Sequence, residues 1–125
     1  MKRTGVIVAM NKELRLLLPL FEDARTEFHD GMTFHVGKIS GREVIAMECG
    51  IGKVNAAIGT QTLIERYKPE IVINTGVAGG TGAAGVLDLI AASAVGYHDV
   101  WCGPGTVPGE AAGCPLLFTT ALNED

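Results

Sequence analysis

Basic clusters, paired cysteines and long apolar runs are all missing from this sequence, and each absence removes a class of function. Ten Lys and Arg against fourteen Asp and Glu leave a net charge of −4, with no stretch that gathers the cations. There is no electrostatic footprint for nucleic acid or for an anionic membrane surface, so neither partner is expected. The three cysteines, Cys49, Cys102 and Cys114, are odd in number, widely spaced and without a Cys-x-x-Cys pair. Neither a disulfide framework nor a structural zinc site is expected, and reduced thiols in a cytoplasmic protein are the simpler reading. The apolar run that follows Lys2-Arg3 ends at Met10, too short for a secretory signal, and no segment reaches the ~18 residues of a membrane span. Phosphate fingerprints are missing too. Gly50-Ile51-Gly52-Lys53 lacks the P-loop spacing, and no G-x-G-x-x-G follows the first apolar run, so ATP and NAD are disfavoured. His29 and His35 have no partner at metal-ligand spacing, and neither a metal nor a cofactor is expected.

What remains is a 125-residue chain, 47% hydrophobic and 19% charged, enough for a single folded core and too short for two ordinary domains. Its seventeen glycines are roughly twice the usual share of about 7%, which suggests tight turns and close backbone approach. Gly5 to Met10 reads as a central strand covered on both faces. Asn11 is a candidate helix N-cap, followed by Leu14, Leu17, Leu18 and Phe21 at helical spacing until Pro19 intervenes. Asp30-Gly31 and Ser40-Gly41 then separate Glu27–His29, Met32–Ile39 and Arg42–Cys49 as an antiparallel pair of hairpins. A helix is expected from about Val54 to Tyr67, closed by Pro69, with Ala57, Ile58, Thr62 and Leu63 or Ile64 facing inward. Ile71 to Asn74 reads as a buried strand and Asp88 to Tyr97 as another, weakened by its alanines and Gly96. Residues 98–115, rich in glycine and proline, read as a long loop. Strands interleaved with helices imply an α/β layer fold.

In such folds ligands bind beyond the carboxyl ends of strands, where backbone N–H groups are free. Three segments fall at such ends: Met10 to Glu13, Gly50 to Lys53, and Asn74 to Gly80. A glycine turn after a strand is often only a turn, so their coincidence matters more than any one of them. Glu13 has two readings on spacing alone. It is a first-turn acid favoured by the helix dipole, or a carboxylate held ionised there to orient or deprotonate a water. Tyr97-His98-Asp99 opens the long loop, but neighbours on a strand point to opposite faces, which argues against a His/Asp relay. Met47 and Glu48 lie inside a predicted strand and read as structural.

Taken in order, "VIVAMNKEL", "ECGIGKVNAA", "PEIVINTGVAGG" and "YHDVW" resemble the 5′-methylthioadenosine/S-adenosylhomocysteine nucleosidases of the purine nucleoside phosphorylase superfamily, over most of residues 4–99. The resemblance implies a three-layer fold, a mixed sheet with flanking helices, and hydrolysis of an adenine nucleoside at its N-glycosidic bond through an oxocarbenium-like transition state. It implies that Glu13 positions the water. Ala9, Met10 and Ile51 would line the ribose and 5′-alkylthio pocket, and Val77, Ala78 and Gly79 would lie beneath the nucleoside. It also implies a homodimer. Phosphorylases of the superfamily show Arg-x-Gly-Ser/Thr-x-Gly at the loop, gripping phosphate through charge-assisted bonds that Asn74 and Val77 cannot make, so water is the expected nucleophile.

Two departures from the family pattern stand out. Leu87-Asp88 replaces the usual Gly-Asp, putting a leucine where a turn wants glycine. The chain also ends near the midpoint of family members, so residues 1–125 read as a single, incomplete domain. The adenine-protonating aspartate, a second glutamate and the base-stacking aromatic all belong to the other half. An impaired nucleosidase is therefore expected, with a non-catalytic nucleoside-binding or dimer-forming remnant as the alternative and a phosphorylase ranked lower. A sheet cut midway should expose an edge strand and an apolar face.

Overall fold

The computed structural model describes residues 2–121. Two compact units divide the chain, Met1–Gly79 and Gly80–Asp125.

In the first unit, strand β1 (Arg3–Val8) is followed by a one-turn helix α1 (Asn11–Leu14) and a 3₁₀ turn (Leu18–Leu20). Strands β2 (Glu22–His29), β3 (Met32–Ile39) and β4 (Arg42–Glu48) form the expected hairpins. Asp30 and Gly31, like Ser40 and Gly41, all have positive φ, the signature of the two-residue primed turns that match strand twist. Helix α2 (Lys53–Tyr67) then crosses to β5 (Ile71–Asn74). The sheet order is β2-β3-β4-β1-β5, with β1 parallel to both β4 and β5 and the hairpin strands antiparallel.

Alternation along the strands splits the core between the two faces. Val6, Val8, Val44 and Ala46 pack with Leu14 on the α1 side. Ile7, Ile45, Met47, Phe34 and Val36 pack with Leu63 and Tyr67 of α2 on the other. This is the expected three-layer α/β fold, a mixed sheet between helices. Among the described residues no helix is long and apolar enough to cross a membrane.

Several local expectations need correction. The cap of α1 is Met10 and not Asn11, because Glu13 reaches back to the Met10 N–H at 2.9 Å and fixes the start of the turn one residue earlier. The helix stops at Leu14, well before Pro19. In α2 the inward residues are Gly59, Leu63 and Tyr67, whereas Ala57 is exposed and Ile58 and Ile64 are 51% and 43% exposed. The helix is apolar on both sides, and the sheet takes the side with the smaller residue. Strand β5 is not buried. Among the described residues it is the sheet's last strand, with no neighbour beyond it, and Ile71 and Ile73 are exposed. On the α1 side a groove of about 430 Å³ runs between Val6, Leu17, Ile39, Val44, Ile71 and Ile73.

The second unit is mostly turns. The strand expected over Asp88–Tyr97 shrinks to β6 (Ala94–Val95), paired antiparallel with β7 (Phe118–Thr119). Thr120 Oγ1 donates to the Ala92 and Ser93 carbonyls, and the Tyr97 and Phe118 rings meet edge to face with centroids 6.1 Å apart. Residues 98–115 contain no helix or strand, as expected of a long loop. Leu87 has φ 70°, the left-handed conformation its position suggested.

Candidate active site

The parallel registers bring three strand ends abreast. Val8 of β1 lies beside Glu48 of β4, and Ile7 beside Asn74 of β5. The ladders run one residue further, with the Cys49 N–H donating to the Val8 carbonyl and the Thr75 N–H to the Ile7 carbonyl. The loops after β1, β4 and β5 therefore leave the same end of the sheet.

Glu13 ties two of these loops together. Its Oε2 accepts the N–H groups of Ala9 and Met10 at 3.1 and 2.9 Å. Its Oε1 accepts the N–H of Val77 at 3.0 Å, across 64 residues of chain. The Val77 bond is the main reason the carboxyl sits below its ordinary value. Partial desolvation opposes that shift, while the Met10 and Ala9 bonds and the charge of Lys12 add to it. A carboxylate offers about four acceptor positions, so one remains on Oε1 for a further donor.

The expected site residues thus divide. Glu13, Ala9, Met10 and Val77 share one hydrogen-bonded cluster. Ala78 and Gly79 continue the exposed loop beyond it. Ile51 stands in the turn after β4, exposed, with its carbonyl held by Asn55 Nδ2 at 2.8 Å. None of these residues lines the groove beside Ile71 and Ile73.

Cys49 begins that same turn, half-buried, its Sγ 3.1 Å from the Gly50 carbonyl. Burial pushes its thiol up, so it is a poor nucleophile. In the second unit, His98 Nδ1 lies 3.9 Å from Asp99 Oδ1, too far for a hydrogen bond, with the histidine almost fully exposed. Met47 is buried and Glu48 exposed. Among the described residues no three His, Cys, Asp or Glu side chains gather as a metal site.

Sequence reasoning did not anticipate the role of Gly76. A Cβ there would stand 2.7 Å from Glu13 Oε1, so the carboxylate lies against bare backbone. The glycine was visible, but its partner is remote in sequence.

A second cluster was also missed. Glu27 on β2 accepts Tyr67 Oη at 2.6 Å and Arg25 Nε at 2.8 Å, with His29 Nε2 3.4 Å away. These partners, the tyrosine first, hold the Glu27 carboxyl at about 2. Burial and this partner push the Tyr67 phenol up.

Known proteins are similar to this chain in sequence and in fold. A 5′-methylthioadenosine/S-adenosylhomocysteine nucleosidase of Chromohalobacter salexigens is 46% identical over 101 residues, 80% of this chain and 43% of that protein. One from Bacillus thuringiensis is 50% identical over 99 residues, covering 78% of this chain and 43% of its own. The crystal structure of such a nucleosidase from Colwellia psychrerythraea, in complex with adenine, superposes with a TM-score of 0.89 at 39% identity. That match covers 94% of this chain and 50% of the other. The chain thus spans about half the length of the relatives it matches. The phosphorylase superfamily matches residues 3–123, nearly the whole sequence, and the chain belongs to that family.

Proposed function

We propose that these residues form the water-orienting part of a nucleosidase site, which cleaves the N-glycosidic bond of 5′-methylthioadenosine or S-adenosylhomocysteine to give adenine and the thioribose. The observation that carries this reading is the Glu13 carboxylate, held ionised at the carboxyl end of a parallel strand group by three backbone N–H donors.

A carboxylate kept below its ordinary pKa is a weak proton acceptor but a well-placed hydrogen-bond acceptor. Its free Oε1 position would orient a water, and its charge would favour the positive character that develops on the sugar. A weak nucleophile suffices against an oxocarbenium-like centre. Val77, Ala78 and Gly79 would let a flat nucleoside approach the strand end, with Ala9, Met10 and Ile51 beside the ribose and its 5′ substituent. The loop from Asn74 to Gly80 has no cationic side chain, which favours water over phosphate.

The resemblance assigns the leaving-group acid to the half of its relatives that this chain does not match. These 125 residues alone should therefore turn over at least about 10²-fold more slowly than a relative with that acid. Binding without turnover is the second reading, and adenine release measured beside binding separates the two. The reading treats residues 1–125 as part of one nucleoside-binding domain of a cytoplasmic homodimer.

Titrating ¹⁵N-labelled chain with methylthioadenosine, while following adenine release in the same samples, tests the assignment. Saturable shifts of the Ala9, Met10, Val77, Ala78 and Gly79 amides are expected. Shifts confined to other residues would overturn it.

A further inference from the structure

Gly76 has a steric reason to be glycine and no conformational one. It is absent from the residues with left-handed φ, so an L side chain could adopt its backbone angles. The obstacle is Glu13. A Cβ on residue 76 would stand 2.7 Å from Oε1, 3.2 Å from Cδ and 3.6 Å from Oε2. The first of these is closer than a carbon and an oxygen can approach without displacement.

We propose that Gly76 is a positioning residue for Glu13: its bare Cα lets the loop after β5 press against the carboxylate so that the Val77 N–H can reach Oε1. This proposal rests on the reading of Glu13 as the water-orienting group. Swinging the whole carboxylate away would break the two bonds that anchor Oε2 to Ala9 and Met10 within its own turn. The less costly response to an added Cβ is loss of the other tether, the single bond to Val77 at 3.0 Å. Breaking it frees the loop from the carboxylate and moves Oε1, the oxygen with the open acceptor position. In a site that holds a water between loop and carboxylate, a shift of about 1 Å can cost about 10²-fold in rate.

The consequence can be read without turnover. The Val77 bond is the largest influence holding the Glu13 carboxyl low, so its loss should show in the titration of that one group. The experiment is a ¹³C-detected NMR titration of the Glu13 carboxyl in the 125-residue chain, beside Gly76→Ala and Gly79→Ala. A Cβ on Gly79 meets nothing within 4 Å and serves as the control.

The Glu13 midpoint is expected to rise toward the ordinary value of 4.5 in Gly76→Ala and to stay in place in Gly79→Ala. An unchanged midpoint in folded Gly76→Ala overturns the proposal. Should Gly76→Ala fail to fold, the double variant with Glu13→Ala decides. Removing the carboxylate removes the overlap, so adding Gly76→Ala to Glu13→Ala should leave the melting temperature nearly unchanged. A double variant that also fails to fold, or that melts well below Glu13→Ala alone, overturns the proposal, since it would place the strain elsewhere. These readouts test positioning alone. Failure of the nucleosidase reading would show instead in the ligand titration and in adenine release.

Discussion

Leu63→Ala is a perturbation whose cost follows from the packing. Leu63 is fully buried on the sheet-facing side of α2. Its Cδ2 lies 2.8 Å from where a Cβ on Gly5 of β1 would stand. Truncation removes Cγ and both Cδ carbons, about 2.4 kcal/mol at ~0.8 kcal/mol per buried methylene. The helix cannot settle into the gap, because a Cβ on Gly59 one turn earlier would already lie 2.7 Å from Cys49 Cβ. A residual cavity should bring the total to about 3–4 kcal/mol, within the roughly 2–5 kcal/mol seen for buried leucines. Against the ~5–15 kcal/mol of an ordinary domain, that is a large fraction. Urea unfolding followed by far-UV circular dichroism is the assay. Fluorescence would report on the wrong unit, because Trp101 is the chain's one tryptophan and lies in Gly80–Asp125. A second arm uses Gly5→Ala, whose new Cβ overlaps Leu63 in the parent but only approaches Pro69 Cγ, at 3.3 Å, once Leu63 is truncated. The two substitutions should couple by about 1 kcal/mol or more. A loss below about 1 kcal/mol for Leu63→Ala, or strict additivity, would refute the seating of α2 on β1 through this contact.

Two further outcomes follow from other parts of the molecule. The Glu27 carboxyl is held at about 2 when folded, against an ordinary 4.5. Its stabilisation is therefore complete above the unfolded value and is lost as pH falls from about 4.5 toward 2. The melting temperature of the parent should drop more between about pH 5 and pH 3 than that of Glu27→Gln, and equal drops would contradict this. Leu87 holds a left-handed φ of 70° while exposed, a conformation that costs a non-glycine residue roughly 1–2 kcal/mol. Leu87→Gly should relieve it, less the ~0.5–1 kcal/mol of glycine's extra freedom, and slow proteolytic cleavage at residues 85–90. Faster cleavage would refute it.

What the sequence revealed and what it concealed follow from how local each signal is. The turns at Asp30-Gly31 and Ser40-Gly41 were legible because two adjacent residues set their geometry. The β1 run was legible because a strand covered on both faces is apolar throughout. The face of α2 was not legible, since Ala57, Ile58 and Ile64 are as apolar as Leu63 and Tyr67. What decided was the close approach at Gly59, a property of the neighbours. Burial of β5 could not be read either, because Ile71–Asn74 has the same composition at the edge of a sheet as at its centre. The carboxylate of Glu13 stood out as a strand-end acid. Its partner Val77 did not, because that pairing depends on β1 and β5 lying side by side.

The account's central claim is that Glu13 serves hydrolysis of an adenine nucleoside, and a chimera tests it most directly. Residues 1–99 of this chain would replace the matching segment of the Colwellia nucleosidase, with adenine release from methylthioadenosine measured with and without phosphate. The account predicts release that is independent of phosphate and falls by about 10²-fold or more in the Glu13→Gln chimera. Release that requires phosphate, or that survives Glu13→Gln unchanged, would contradict it.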